Sequence, residues 1–105
     1  MIENLENLFK EYTDFSLETF KEATALSSLI KLKEEIREIK ECLFEDNTYE
    51  ELAKEYVDGI MCLVDSAARA GVTSKMLHQK FAEKLAINKS RKWIKNPDNT
   101  YSYIK

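Results

Sequence analysis

The chain has 105 residues, 44% of them hydrophobic and 33% charged, with a net charge of −3, two glycines and one proline. This length predicts a single domain over residues 1–105 whose core is modest, so a deep active site needs a second subunit. The scarcity of glycine and proline excludes a loop-rich all-β fold. The abundance of strong helix formers predicts an all-α fold.

Cysteine content and hydropathy indicate the cellular compartment in which the protein works. Cys42 and Cys62 are too few for a disulfide framework. The N-terminus lacks a basic, apolar signal segment, and no apolar run reaches the roughly 20 residues of a membrane span. We therefore expect a cytoplasmic protein that neither spans nor binds a membrane.

Charge is unevenly distributed along the chain. Residues 1–60 hold 16 acidic and 7 basic side chains, a net of −9, whereas residues 61–105 hold 3 acidic and 9 basic ones, a net of +6. Either the two halves hold cations and anions, or solvated helix faces segregate by sign. Sparse basic residues and a negative total argue against a nucleic-acid partner.

The first half of the chain predicts two helices. The first covers about residues 2–12, before Thr13, Asp14 and Ser16 break the pattern, and residues 17–25 suit either a helix or an ordered loop. The second helix covers about residues 24–44. Its apolar residues repeat at 3-4-3-4 spacing and form one stripe: Leu29, Leu32, Ile36, Ile39 and Leu43.

Two further helices and a turn are predicted downstream. A third helix begins after Thr48 and runs to about Ala70, where Gly71 ends it. A fourth begins at Thr73 or Ser74 and runs to about residue 88. The turn signal at residues 96–99 favours a short C-terminal hairpin.

Two pairs of acids share helix faces. Glu35 and Glu38 lie beside the apolar stripe of the second helix, together with Lys31, and Glu55 and Asp58 share a face of the third. If the two helices pack antiparallel, as their short connection suggests, the pairs confront each other. Like charges about 4 Å apart repel by roughly 4 kcal/mol. Such carboxylates must therefore extend apart into water, be partly protonated, or bind a cation between them. Oxygen ligands without histidine or thiolate suit Mg²⁺, or Mn²⁺ in its place.

Three motifs in order carry a family resemblance. KLKEEIRE at residues 31–38 is followed after sixteen residues by EYVD at 55–58, and KLAINKSRKW lies at 84–93. This pattern resembles the ExxE, ExxD and KxxxNxxR segments of the MazG-type all-α nucleoside triphosphate pyrophosphatases. ETF at 18–20 and the tryptophan that closes the third motif are most similar to the dATP/dGTP pyrophosphohydrolase branch.

The resemblance implies a MazG-like helical bundle completed by oligomerisation, as a homodimer or homotetramer. It implies Mg²⁺-dependent cleavage of a (d)NTP, most simply dATP or dGTP, between the α- and β-phosphates, giving the monophosphate and pyrophosphate. Glu35, Glu38, Glu55 and Asp58 would bind the metal, and Glu38 is our choice for the general base. The resemblance also implies that Lys84, Asn88 and Arg91 contact the substrate, and we add Lys31 as a further substrate-binding residue. Trp93, Tyr101 and Tyr103 suit either stacking on a base or anchoring the tail, and we choose stacking for Trp93 and anchoring for the two tyrosines.

A second function remains open from the sequence. The acidic face also suits a helical interaction module that binds a basic partner without turnover. Likewise, the Lys84, Asn88 and Arg91 group suits a solvated basic helix end. Stoichiometric Mg²⁺ binding and pyrophosphate release would separate the enzyme from the interaction module.

Overall fold

The structure is a computed structural model that describes residues 4–105. Four helices precede a two-stranded antiparallel sheet: α1 Leu5–Thr19, α2 Ala25–Phe44, α3 Tyr49–Arg69, α4 Ser74–Ser90, β1 Trp93–Lys95 and β2 Tyr101–Tyr103. The all-α prediction with a C-terminal hairpin is confirmed. The chain forms two compact units, Met1–Lys75 and Met76–Lys105, and the single domain over 1–105 stays a prediction.

The first helix is longer than predicted. Its N-cap is Asn4, whose side chain accepts a hydrogen bond from the Asn7 backbone N–H at 2.9 Å; residues 2 and 3 of the predicted range lie outside the described residues. The predicted break at residues 13–16 is wrong. The Thr13 hydroxyl donates to the Lys10 carbonyl, and Ser16 is 1% exposed against the rest of the first unit. Polar residues that favour turns are thus held inside a helix by tertiary packing.

Local capping sets the start of each of the two central helices; the cap at Thr48 was predicted, whereas for α2 only the approximate start at residue 24 was. Thr24 and Thr48 each form a capping box, with Ser27 and Glu51 respectively, which satisfies backbone N–H groups that have no partner inside the helix. Gly71 follows the end of α3 with a φ of 91°, a conformation that glycine adopts without strain. These boundaries follow from signals within a few residues of each helix end.

α2 and α3 pack antiparallel. The Ser66 hydroxyl donates to the Ala25 carbonyl at 2.7 Å, and the Ser28 hydroxyl donates to Asp65 at 2.5 Å, so the start of α2 meets the end of α3. Gly59 is buried against α2, where an added Cβ would lie 3.4 Å from Ile39 Cδ1. The absence of a side chain at position 59 therefore lets the two backbones approach closely.

Apolar side chains are largely exposed within the chain. Leu29, Ile36 and Leu43 of the predicted stripe are 43–51% exposed, so the stripe is not fully buried within one copy of the chain. Val64, at 6% exposure, is the only buried apolar residue among residues 4–105. An apolar groove of about 530 Å³ lies between α1 and α3; it is lined by Leu5, Leu8, Phe9, Glu11, Tyr12, Phe15, Val57, Ile60, Met61 and Val64.

The C-terminal segment forms the hairpin. Trp93 pairs with Tyr103 and Lys95 with Tyr101. The turn is closed by a hydrogen bond from the Asn96 N–H to the Thr100 carbonyl at 2.7 Å, and Asn99 takes a φ of 70°. Asparagine tolerates this left-handed conformation better than most residues. None of the described helices has the length and apolarity that a membrane crossing requires.

Candidate active site

Three of the four predicted metal ligands converge between α2 and α3. Glu35 on α2 and Glu55 and Asp58 on α3 each place one carboxylate oxygen within 4.8 Å of the others. The i,i+3 spacing of Glu55 and Asp58 puts both on one face, and the antiparallel packing brings that face to Glu35. We call these three residues the acidic cluster.

Glu38, the fourth predicted ligand, lies at the edge of the acidic cluster. Its carboxyl group is close enough to Glu35 to raise the pKa of that residue, but it is not among the three that converge within 4.8 Å. Glu38 and Glu55 also line a neighbouring cleft of about 330 Å³. Glu38 is half-buried, with one side toward the cluster and one toward this cleft.

The electrostatics of the cluster favour a cation. Glu35 is only 6% exposed, and its burial, followed by the charges of Glu38 and Asp58, raises its pKa. Lys31 lies 3.5 Å from the Glu35 carboxylate but is itself mostly exposed. Both Glu35 and Glu55 keep one buried oxygen, Oε2, that accepts no hydrogen bond.

The donor set therefore fits a hard divalent ion. Buried carboxylate oxygens without hydrogen-bond partners are costly, and a bound cation would satisfy them. Oxygen ligands are those preferred by Mg²⁺ and Mn²⁺. The residues present thus fit the metal that the resemblance implies.

A cavity of about 440 Å³ opens beside the acidic cluster. Its wall comes from α1, α2 and α3 and from the segment between α1 and α2: Tyr12, Ser16, Phe20, Ala23, Ser27, Ser28, Lys31, Glu35, Asp58, Met61, Cys62 and Asp65. This volume lies in the range of small-molecule sites, and the mixture of apolar and polar walls is typical of them. Lys31, a predicted substrate-binding residue, lies on this wall with Glu35 and Asp58.

A buried ion pair behind this cavity was not predicted. Asp65 and Arg69 lie 2.8 Å apart, and their side chains are 7% and 5% exposed. Arg69 also donates to the carbonyls of Ser16 and Ala23 at 3.1 and 2.9 Å, so it ties α3 to the end of α1 and to the segment that leads into α2. The i,i+4 spacing of Asp65 and Arg69 is a sequence signal for the pair, but nothing local indicates its burial.

The pKa of Asp65 reflects this environment. Burial alone would raise it, but hydrogen bonds from Arg69, Ser16 and Ser28 outweigh burial, so the pKa lies below its usual value. The pKa of Asp65 is therefore lowered while that of Glu35 is raised. The pKa values of these two buried carboxyl groups on the cavity wall shift in opposite directions because only Asp65 is hydrogen-bonded directly to a guanidinium.

Three of the remaining predicted substrate residues form a second group, within the unit Met76–Lys105. α4 ends at Ser90, so Arg91 lies beyond the helix on which Asn88 sits. Arg91 Nη1 donates to Asn88 Oδ1 at 3.2 Å, and Trp93 Nε1 donates to the Asn88 carbonyl at 3.0 Å. Lys84 is an exposed residue of α4. The ring centre of Tyr103, a residue that we expected to anchor the tail rather than to stack on a base, lies 4.0 Å from the Arg91 guanidinium carbon.

Comparison with known structures identifies the fold class of the protein. The structure is similar to a MazG-like pyrophosphohydrolase of cyanophage S-2L, solved bound to dGDP and three catalytic Mn²⁺ ions per active site. The TM-score is 0.75 at 23% identity, over 98% of this chain and 95% of that chain. A search of curated proteins finds no match. The chain thus has the MazG-like all-α fold.

The family follows from the sequence. A sequence model of the dATP/dGTP pyrophosphohydrolases matches residues 8–102, and the chain belongs to this family. It is therefore a nucleotide pyrophosphohydrolase, a hydrolase that acts on acid anhydrides. The predictions of family, fold and enzyme class are confirmed.

Proposed function

We propose that the protein is a Mg²⁺-dependent pyrophosphohydrolase that cleaves dATP or dGTP between the α- and β-phosphates. The products are the nucleoside monophosphate and pyrophosphate. The observation that carries the proposal is the acidic cluster, in which three carboxylates from two helices converge within 4.8 Å and two of their buried oxygens accept no hydrogen bond. The family match supports the substrate class. The dGDP and Mn²⁺ in the similar cyanophage structure support both a purine nucleotide and divalent ions.

The acids have distinct roles in this proposal. Glu35, Glu55 and Asp58, with Glu38 at their edge, hold Mg²⁺, or Mn²⁺ in its place. When bound, the metal neutralises phosphate charge and lowers the pKa of water. Glu38 accepts the proton of the attacking water, because it lies outside the three carboxylates that converge and faces an open cleft. Hydrolysis adds one water across the α–β anhydride bond and requires no other reactant.

Other residues hold the substrate. The cavity beside the acidic cluster is large enough for a nucleoside, and Lys31 on its wall contributes positive charge. Lys84, Asn88 and Arg91 contact the triphosphate, and the Trp93 indole stacks on the base.

Because nucleoside triphosphates and a reducing environment are both found in the cytoplasm, we place the activity in the cytoplasm. The thiols of Cys42 and Cys62 are free.

We further propose that the protein is a homodimer or homotetramer. The apolar groove between α1 and α3 is lined by Leu8, Phe15 and Ile60, which are 45%, 55% and 46% exposed. Apolar surface of this kind marks an interaction site, and a second copy presents the same groove. Light scattering should show an oligomer for the wild type and a smaller species for Ile60→Asp; a monomeric wild type would contradict the proposal.

A panel of nucleoside triphosphates, with and without Mg²⁺, tests the catalytic proposal. Monophosphate and pyrophosphate should appear in equal amounts, fastest from dATP or dGTP, and only with the metal. Glu38→Gln should lower turnover by a factor of about 10² to 10⁴, the usual range for a general base. Glu22→Gln, an exposed acid before α2, should leave turnover unchanged. If neither dATP nor dGTP is hydrolysed with Mg²⁺ or Mn²⁺, the catalytic proposal is contradicted.

A further inference from the structure

The guanidinium of Arg91 is held on an aromatic face. Its Cζ lies 4.0 Å from the centre of the Tyr103 ring, within the range of a cation–π interaction. Its Nη1 also donates to Asn88 Oδ1 at 3.2 Å. Ring and amide therefore constrain the plane of the guanidinium from two directions.

The hairpin places Tyr103 at this position. Trp93 on β1 pairs with Tyr103 on β2, and the Ile104 N–H donates to the Lys92 carbonyl at 2.8 Å. The rings of Trp93 and Tyr103 meet edge to face, with centres 6.1 Å apart. Since Arg91 lies two residues before Trp93, the returning strand carries the Tyr103 ring to the guanidinium.

Arg91 forms no ion pair with an acidic side chain among the described residues. Within residues 4–105, none of the ion pairs involves Arg91, and the guanidinium has five N–H donors. Arginine recognises phosphate by donating two parallel hydrogen bonds from one plane, which requires a defined orientation. A guanidinium that is already oriented loses less conformational entropy when an anion binds.

We propose that Tyr103 is a positioning residue, which fixes the orientation of Arg91 for binding the triphosphate. This inference rests on the proposed function, in which Arg91 contacts the phosphates. Tyr103 itself acts through Arg91. The C-terminal hairpin is thus part of the substrate-binding apparatus through a residue outside the three sequence motifs.

The test compares two residues of the same strand. Tyr103→Leu should raise both the KM for dATP or dGTP and the Kd for inorganic tripolyphosphate about two- to fivefold, the strength of an exposed cation–π contact, with kcat unchanged. Tyr103→Phe keeps the ring face and should stay close to wild type. Tyr101→Leu is the matched control, because Tyr101 lies on β2 at 61% exposure and should change neither constant.

A double variant tests whether the effect passes through Arg91. In an Arg91→Gln background, Tyr103→Leu should raise KM and Kd no further. The fluorescence of Trp93, the single tryptophan, reports whether the hairpin remains formed in each variant. An equal loss in Tyr103→Phe, or a full additional loss in the Arg91→Gln background, would overturn the inference.

The two readouts separate this inference from the proposed function. If the wild type hydrolyses no triphosphate but binds tripolyphosphate in a Tyr103-dependent way, the inference stands and the proposed function fails. If triphosphates are hydrolysed and Tyr103→Leu leaves KM and Kd unchanged, the inference fails alone. If neither turnover nor tripolyphosphate binding occurs, both fail.

Discussion

Replacing Asp58 with asparagine should change stability in opposite directions with and without metal. Asp58 belongs to the acidic cluster, with carboxylate oxygens of Glu35 and Glu55 within 4.8 Å. Asparagine has nearly the same shape but carries no charge. The substitution therefore removes electrostatic repulsion from the metal-free protein and removes a proposed ligand from the metal-bound protein.

The geometry sets the size of the repulsion. At 4.8 Å and an effective dielectric constant of 20, two ionised carboxylates repel by about 3.5 kcal/mol. Asp58→Asn removes two of the three pairs in the cluster. Solvent around the exposed Asp58 screens them, and the burial that raises the pKa of Glu35 weakens the repulsion further because it favours the neutral form of this residue. We therefore expect a net gain of about 1 kcal/mol, or about 4–8 °C in Tm.

In the presence of metal, the wild type should become more stable than Asp58→Asn. A ligand present at 100 times its Kd stabilises the folded state by about 2.7 kcal/mol. The wild type should gain this on addition of Mg²⁺ or Mn²⁺, whereas Asp58→Asn should gain much less. Thermal denaturation followed by circular dichroism, in EDTA and in excess metal, measures both differences.

The control is the isosteric change at a remote site. Asp46 is exposed in the turn between α2 and α3, and Asp46→Asn should leave both melting curves close to wild type. The reasoning is refuted if Asp58→Asn is less stable than wild type in EDTA, because the acid would then be structural. It is also refuted if metal stabilises wild type and Asp58→Asn equally, because Asp58 would then not be a ligand.

Two further predictions concern stability. The pKa of Asp65 is lower in the folded than in the unfolded chain, so Asp65 stabilises the fold above its usual carboxyl pKa, and this stabilisation is lost as pH falls toward the lower folded value. Acid titration of unfolding should show this loss in wild type, and Asp65→Asn should lack it. Gly71→Ala should destabilise the protein by about 1 kcal/mol in urea unfolding, because alanine is strained at a φ of 91° although no atom lies within 4 Å of the added Cβ. An unchanged urea midpoint would contradict the second prediction.

Much of the secondary structure could be predicted from local signals. Thr24 and Thr48 cap α2 and α3, and Gly71 follows α3, because capping and left-handed φ involve only a few adjacent residues. The extension of α1 past Thr13 could not be predicted. Its polar residues are stabilised by contacts with α3, among them the bond from Arg69 to Ser16, and local propensity favours a turn there.

Helical spacing placed the acids on common faces, but not at a given distance. Glu55 and Asp58 share a face of α3 by their i,i+3 spacing, and Glu35 lies on a face of α2 beside its stripe. Their approach to 4.8 Å depends on the register between the helices, which is set by the close contact at Gly59 and the hydrogen bond between Ser28 and Asp65. Register between helices depends on side-chain packing across sequence separations of some 20 to 40 residues, so no local pattern specifies it.

The sequence alone determined the family, the helix order and the acids that can share a face, because these depend on motifs and on the fixed geometry of a helix. Only the tertiary structure decided which acids meet, that Asp65 and Arg69 form a buried pair, and that Tyr103 covers Arg91. The first and third features join residues from different parts of the chain, and the second depends on the packing of α3 against residues of α1, α2 and the segment between them, which buries both side chains. Burial and long-range contact arise only after the helices and the hairpin have packed.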